Sequence, residues 1–123
     1  MANKRVLIVE DDDMIVFMLQ MCYEHLECEV VGSVDTGEAA LDFVAKHELD
    51  FVSMDIMLNS AMNGIEAAQR LRTLGQEVPI IFVSANNDHE ATTKSIRNSM
   101  FLRKPIDLDD LGAAVASLKP FIR

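Results

Sequence analysis

Five short apolar runs divide the chain, and segments with helix signals lie between and after them. The runs are RVLIV (5–9), EVVGSV (29–34), FVSM (51–54), IIFVS (80–84) and MFLRK (100–104). β-Branched and aromatic residues dominate several of them, and turn or acidic residues bound them, as expected of strands. In the first intervening segment Ile15, Met18, Leu19, Cys22 and Leu26 recur at helical spacing. Ala40, Leu41 and Val44 do so in the second, Ile65, Ala68, Leu71 and Leu74 in the third, and Leu111, Val115 and Leu118 in the last.

Helix starts are marked by a short polar residue with an acid three positions on. The pairs are Asp35–Glu38, Asn63–Glu66, Asn87–Glu90 and Asp107–Asp110, each resembling a capping box. Pro120 is placed to close the last helix. Strand and helix alternating five times predicts an α/β fold with a parallel sheet and five helices. Strands 1, 3 and 4 are the most continuously apolar, which suits burial on both faces. Glu29 and the Arg103-Lys104 pair put strands 2 and 5 at the edges. The expected order is therefore 2-1-3-4-5, a doubly wound, flavodoxin-like sheet.

At 123 residues, half of them hydrophobic, residues 1–123 read as one domain with a core that needs no staples. No apolar stretch is long enough to cross a membrane. The start, MANKRVLIVEDDD, has too short an apolar run for a signal peptide and ends in acids, so a soluble cytoplasmic protein is expected. Cys22 and Cys28 form neither a disulfide framework nor a metal-type pair. His25, His47 and His89 show no ligand spacing and read as surface or helix-end residues. A net charge of −9 argues against direct nucleic-acid binding and suits protein partners or a cation.

In a sheet of this kind, ligands bind beyond the carboxyl ends of the strands, where strand order reverses. Strand 1 ends in Glu10-Asp11-Asp12-Asp13, strand 3 in Asp55, strand 4 in Ser84-Ala85 and strand 5 in Lys104-Pro105. Taken singly each is ordinary: Asp12 or Asp13 is a helix cap, Asp55 a strand terminator, Ser84 a strand-end residue. Together they describe one crevice holding three carboxylates, a hydroxyl and a lysine. The mutual repulsion of the acids is relieved by a divalent cation such as Mg²⁺, which takes one or two carboxylates, waters and phosphate oxygens. Lys104 supplies a point charge for a phosphate, and a carboxylate there can itself be a nucleophile.

The motifs VLIVEDD, MDIML, IIFVSA and FLRKPI, in this order and along the whole chain, resemble those of the response-regulator receiver domain, the CheY-like family. The resemblance implies a two-component phosphorelay, in which a histidine kinase or histidine phosphotransfer protein supplies a phosphoryl group. It implies Asp55 as phosphoacceptor, with Asp11, Asp55 itself, Glu10 (through water) and the backbone carbonyl of Met57 around Mg²⁺, or Mn²⁺ in its place. Ser84 matches the switch hydroxyl and Phe101 the aromatic that moves with it. Lys104 matches the phosphate-binding lysine, with a cis bond to Pro105. Such a domain is a signalling phosphoacceptor rather than an enzyme acting on other molecules. Its switched surface is formed by the fourth helix, fifth strand and fifth helix, for a downstream protein, an output domain or a homodimer. It is either free-standing or part of a larger regulator.

This sequence departs from the family pattern at several points. The loop DIMLNSAMNG has Asn59 where many members have proline, and one extra residue before the glycine. Glu10 replaces the commoner aspartate. Met57 and Asn86 stand where phosphoryl lifetime is often tuned, and apolar Met57 suggests a longer-lived phosphoaspartate. Three other readings compete. An Mg²⁺-dependent phosphatase with an aspartate nucleophile usually has a second aspartate where Met57 stands. A flavodoxin-like binding module without phosphotransfer leaves the acids and Lys104 without a joint reason. A binding-only receiver, used as an interaction surface, would be favoured if Asp55 or Lys104 were missing, and both are present.

Overall fold

The computed structural model describes residues 3–85 and 88–118. Ten elements alternate: β1 (Arg5–Val9), α1 (Asp13–His25), β2 (Glu29–Val34), α2 (Gly37–Lys46), β3 (Phe51–Asp55), α3 (Gly64–Thr73), β4 (Ile80–Ser84), α4 (Glu90–Thr93), β5 (Ser99–Arg103) and α5 (Leu108–Ser117). The strands form one parallel sheet in the order β2-β1-β3-β4-β5, the arrangement expected from the sequence.

Strand side chains alternate between two cores. Leu7, Val9, Val52, Met54, Ile80 and Phe82 pack in one cluster with α2 and α3 residues such as Ala40, Val44, Ile65 and Leu71. Val6, Ile8, Phe51, Ile81 and Val83 pack in the other with Leu19 and Tyr23 of α1 and Leu111 and Val115 of α5. Both faces are covered, which is why β3 and β4 are apolar runs rather than alternating ones. Burying each large apolar side chain contributes about 1.5–3 kcal/mol, and a one-residue slip would exchange the two sets. Register is thereby held firmly in the central strands. At the β2 edge it shifts once, so that Leu7 pairs with Gly32 rather than Val31. There the Phe43 ring packs so near that a Cβ on Gly32 would lie 2.9 Å from it.

The caps follow the sequence in part. Asn63 and Glu66 form the reciprocal capping box of α3. Asp107 caps α5, but accepts from the Asp109 N–H rather than Asp110. Thr36, not Asp35, caps α2, taking the Ala39 N–H at 3.0 Å, because the helix begins one residue later and Glu38 falls in its second position. Asn87 and Pro120 lie outside the described residues.

Two further differences concern α1 and β5. Met18, expected on the inward face of α1, is 55% exposed. Leu19 and Tyr23 carry the burial instead, because α1 is apolar on two sides. Gly112 of α5 allows close approach to α1: a Cβ there would be 3.2 Å from Leu26 Cδ2. Strand β5 runs 99–103 rather than 100–104, so Lys104 stands just beyond it and turns inward. No helix among the described residues is long and apolar enough to cross a membrane.

Candidate functional site

Sheet register carries the acids together. Val9 pairs with Met54, so the next residues, Glu10 and Asp55, emerge side by side at the carboxyl ends of neighbouring strands. The Glu10 N–H donates to the Val34 carbonyl at 3.0 Å, fixing the turn into α1. Asp12 caps that helix by accepting from Met14 and Ile15, so its carboxylate is already engaged. Carboxylate oxygens of Glu10, Asp11 and Asp55 lie within 4.8 Å of one another. Glu10 and Asp55 are buried, at 3% and 6% exposure, whereas Asp11 is exposed. Three hard oxygen donors so placed fit a divalent cation such as Mg²⁺.

From the far side of the sheet, β5 delivers the counter-charge. The Lys104 N–H donates to the Ser84 carbonyl at 2.7 Å, and the Lys104–Pro105 bond is cis, as the resemblance implied. Lys104 Nζ lies 2.8 Å from Glu10 Oε1 and 3.5 Å from Asp55 Oδ1. Burial pushes the Glu10 carboxyl above its usual range and the Asp55 charge adds to this, while Lys104 opposes it. Burial also works against the Lys104 charge, but the hydrogen bond to Glu10 and the two acids outweigh it and raise the ammonium's pKa.

Ser84 Oγ is buried and finds no hydrogen-bond partner among the described residues. A buried hydroxyl without such a partner costs about 1–3 kcal/mol. Phe101 is half-buried on β5, opposite Phe82, and packs against the core on the α2–α3 side. Met57 projects its side chain to solvent at 59% exposure. Asn86 lies outside the described residues.

Sequence reasoning left two features unread. The first is the Asn59 N–H, which donates to Asp11 Oδ2 at 2.7 Å. Nothing in the residue type at position 59 announces a backbone contact. The second is a solvent-facing apolar stripe on α1, beside the acids: Met14, Phe17, Met18 and Met21 are 55–70% exposed. Its i, i+3, i+4, i+7 spacing was visible, but only packing tells which apolar face of a helix points outward. A cleft of about 360 Å³ borders it, with Ile15, Cys22, Lys104, Pro105 and Ile106 in its walls.

Residues 6–116 match the response regulator receiver domain family, and the chain belongs to that family. It is thus a receiver domain of two-component signalling. It is 33% identical over 112 residues to the uncharacterized transcriptional regulatory protein YbdJ of Bacillus subtilis (strain 168), covering 90% of this chain and 48% of that protein. It is 32% identical over 116 residues to the regulatory protein AtoC of Escherichia coli (strain K12), covering 93% of this chain and 25% of that one. The chain therefore spans about half or less of the length of these curated relatives. Among solved structures, the signal receiver domain of a modulated diguanylate cyclase from Desulfovibrio desulfuricans G20 is 33% identical with a TM-score of 0.81, covering 94% of this chain and 93% of that one. The receiver domain of a sensor histidine kinase from Pseudomonas aeruginosa PAO1 shares the fold at 24% identity and a TM-score of 0.83, over 95% of this chain and 98% of that one. That protein carries a magnesium ion in its active-site cleft.

Proposed function

We propose that this domain accepts a phosphoryl group on Asp55 from a histidine kinase or histidine phosphotransfer protein. The observation that carries the reading is the convergence of Glu10, Asp11 and Asp55 with Lys104 Nζ at 2.8 and 3.5 Å from two of them. An Asp55 oxygen attacks the donor's phosphorus in line. The new O–P bond forms as the P–N bond breaks, and the electron pair returns to the donor's imidazole. Such transfer depends on positioning and charge stabilisation more than on acid–base work. Asp11, Asp55 and the Met57 backbone carbonyl would hold Mg²⁺, with Glu10 acting through water, and the ion would offset the charge on the transferring group. Lys104, already beside Asp55, pairs with a phosphoryl oxygen, and the Ser84 hydroxyl, unpartnered among the described residues, donates to another.

Once Ser84 turns to the phosphoryl group, the space it leaves favours an inward Phe101. The surface of α4, β5 and α5 then shifts between two packings biased by a local charge. Two observations support this: Phe101 is only half-buried, and α4 is a single turn whose Thr93 carbonyl is tied to β5 by the Ser99 hydroxyl at 3.0 Å. The partner reading that surface is a downstream protein, an output domain or a second copy of this domain. The exposed α1 stripe beside the acids gives a donor protein an apolar face to dock on. The unpaired thiols of Cys22 and Cys28 agree with a cytoplasmic setting. The domain turns over no other molecule.

Intact mass after incubation with acetyl phosphate, with and without Mg²⁺, tests the reading. The expected result is one added phosphate that requires Mg²⁺ and is absent in Asp55→Asn. Equal labelling of Asp55→Asn would overturn Asp55 as acceptor. No labelling under any condition would favour a domain that works by binding alone.

A further inference from the structure

We propose that the backbone N–H of Asn59 is a positioning group for the cation site, holding the Asp11 carboxylate in place for Mg²⁺. The inference rests on the reading of Glu10, Asp11 and Asp55 as cation ligands. Of these three, Glu10 and Asp55 are buried and face Lys104, whereas Asp11 is exposed. Without a restraint its side chain would sample several rotamers and lose that freedom when a cation binds. The restraint is the 2.7 Å hydrogen bond from Asn59, a length typical of an N–H donating to an ionised carboxylate. It engages Asp11 Oδ2.

The donor is itself fixed. Ile56 and Leu58 are buried in the α2–α3-side core, on either side of exposed Met57. The Gly64 N–H ties the loop back to the Ile56 carbonyl at 2.8 Å, and Ser60 Oγ donates to the Met62 carbonyl at 2.6 Å. The loop after Asp55 is therefore fastened at its root and plugged into the core one residue before Asn59. Its next N–H lands on a carboxylate 48 residues away in sequence. The contact uses the backbone, so any residue with an N–H can make it and proline cannot. Hydrogen bonds to metal-ligating carboxylates commonly carry a ten- to hundredfold effect on affinity, and the same is expected here.

The test is a Mg²⁺ titration followed by amide NMR on the wild type, Asn59→Ala and Asn59→Pro. Asn59→Ala keeps the N–H and is expected to bind within about twofold of the wild type. Asn59→Pro removes it and is expected to bind about tenfold more weakly, with the amides of β1, β3 and Gly64 otherwise unmoved. Wild-type affinity in Asn59→Pro would overturn the proposal, and so would an equal loss in Asn59→Ala. Hydrogen exchange of the wild-type Asn59 amide gives a second measure that needs no variant. Slow exchange with and without Mg²⁺ supports the bond, and exchange at the rate of a free loop amide overturns it. A wild type that shows no Mg²⁺-dependent shifts overturns the cation site and the Asn59 role together, whereas the other failures leave the cation site standing.

Discussion

Gly64 presses against the backbone of Asp55. A Cβ on Gly64 would overlap the Asp55 carbonyl oxygen and come within 2.9 Å of both the Asp55 carbonyl carbon and Ile56 Cα. The atoms in the way are backbone, which cannot swing aside as a side-chain tip can. The first residue of α3 and the last of β3 are thus packed against each other, and the acceptor's position depends on the absence of a side chain at 64. Gly64→Ala is expected to destabilise the fold by about 2–3 kcal/mol, as overpacking does. Urea denaturation reads the loss, and a full return of wild-type stability and phosphate uptake would contradict this account.

The Lys104–Glu10 pair is almost fully enclosed, with side-chain exposures of 16% and 2%. Lys104→Met leaves Glu10 buried among acids with no cation beside it. The expected cost is roughly 3 kcal/mol in Mg²⁺-free buffer. Added Mg²⁺ should recover part of it, since a ligand of the folded state stabilises by mass action. Thermal melts with and without Mg²⁺ test this, and equal Tm shifts for variant and wild type would count against it.

Tyr23 joins α1 to β3 from inside the core. Its hydroxyl donates to Ser53 Oγ at 2.8 Å, and burial pushes the phenol well above its usual range. The ring also meets Phe51 edge-on, 5.4 Å between centroids. Tyr23→Phe strands the Ser53 hydroxyl and is expected to cost about 1–2 kcal/mol. Adding Ser53→Ala should restore most of that, because both members of the pair are then apolar. A double-mutant cycle measures the coupling, and strict additivity would show that the bond contributes nothing.

At the opposite end of the sheet, the Arg97 guanidinium grips Glu77, with Nη2 2.6 Å from Oε2. That hydrogen bond holds the Glu77 carboxyl below its usual value of 4.5. A lowered folded-state pKa means that stability is present above the unfolded value and is lost as pH falls through the folded one. The Tm gap between wild type and Glu77→Gln should therefore be open at neutral pH and close as pH falls below the usual carboxyl value of 4.5. A gap that widens on acidification would reverse the sign.

Near this pair, Arg72 is buried and donates to the carbonyls of Gln76, Arg97 and Asn98 at 2.8–3.2 Å. It fastens the C-terminal end of α3 to the turn before β5. Arg72→Met removes this donor from the Gln76 and Arg97 carbonyls, while the Asn98 carbonyl keeps the Ile80 N–H at 3.0 Å, and is expected to lower stability by about 2 kcal/mol. Asn98, held at a positive φ of 61° in that turn, should become the fastest-exchanging amide of the region.

The elements were legible because their signals are local. Period-two and period-3.6 patterns are properties of ten or so consecutive residues, and strands 1 to 4 fall within a residue of their expected bounds. Sheet order was legible because edge strands must tolerate charge, as Glu29 does by pairing with Arg5 at 3.1 Å. Where two local signals compete, the reading fails: Asp35 and Thr36 are both good caps, and the start of α2 chose Thr36.

By itself the sequence determined that acids end β1 and β3, a hydroxyl ends β4 and a lysine follows β5, and a parallel sheet must gather those ends. It did not determine how the gathered groups pair. That Lys104 sits nearer Glu10, across 94 residues, than Asp55 was settled only by the packed arrangement of the strand ends. That Asp11 is held by Asn59 was settled by two core anchors, Ile56 and Leu58, that set the path of the loop. That α1 turns Met14, Phe17, Met18 and Met21 to solvent was settled by which of its two apolar faces met the sheet. Pairings of this kind depend on side-chain directions in a packed interior, and these exist only once the distant strands are in register.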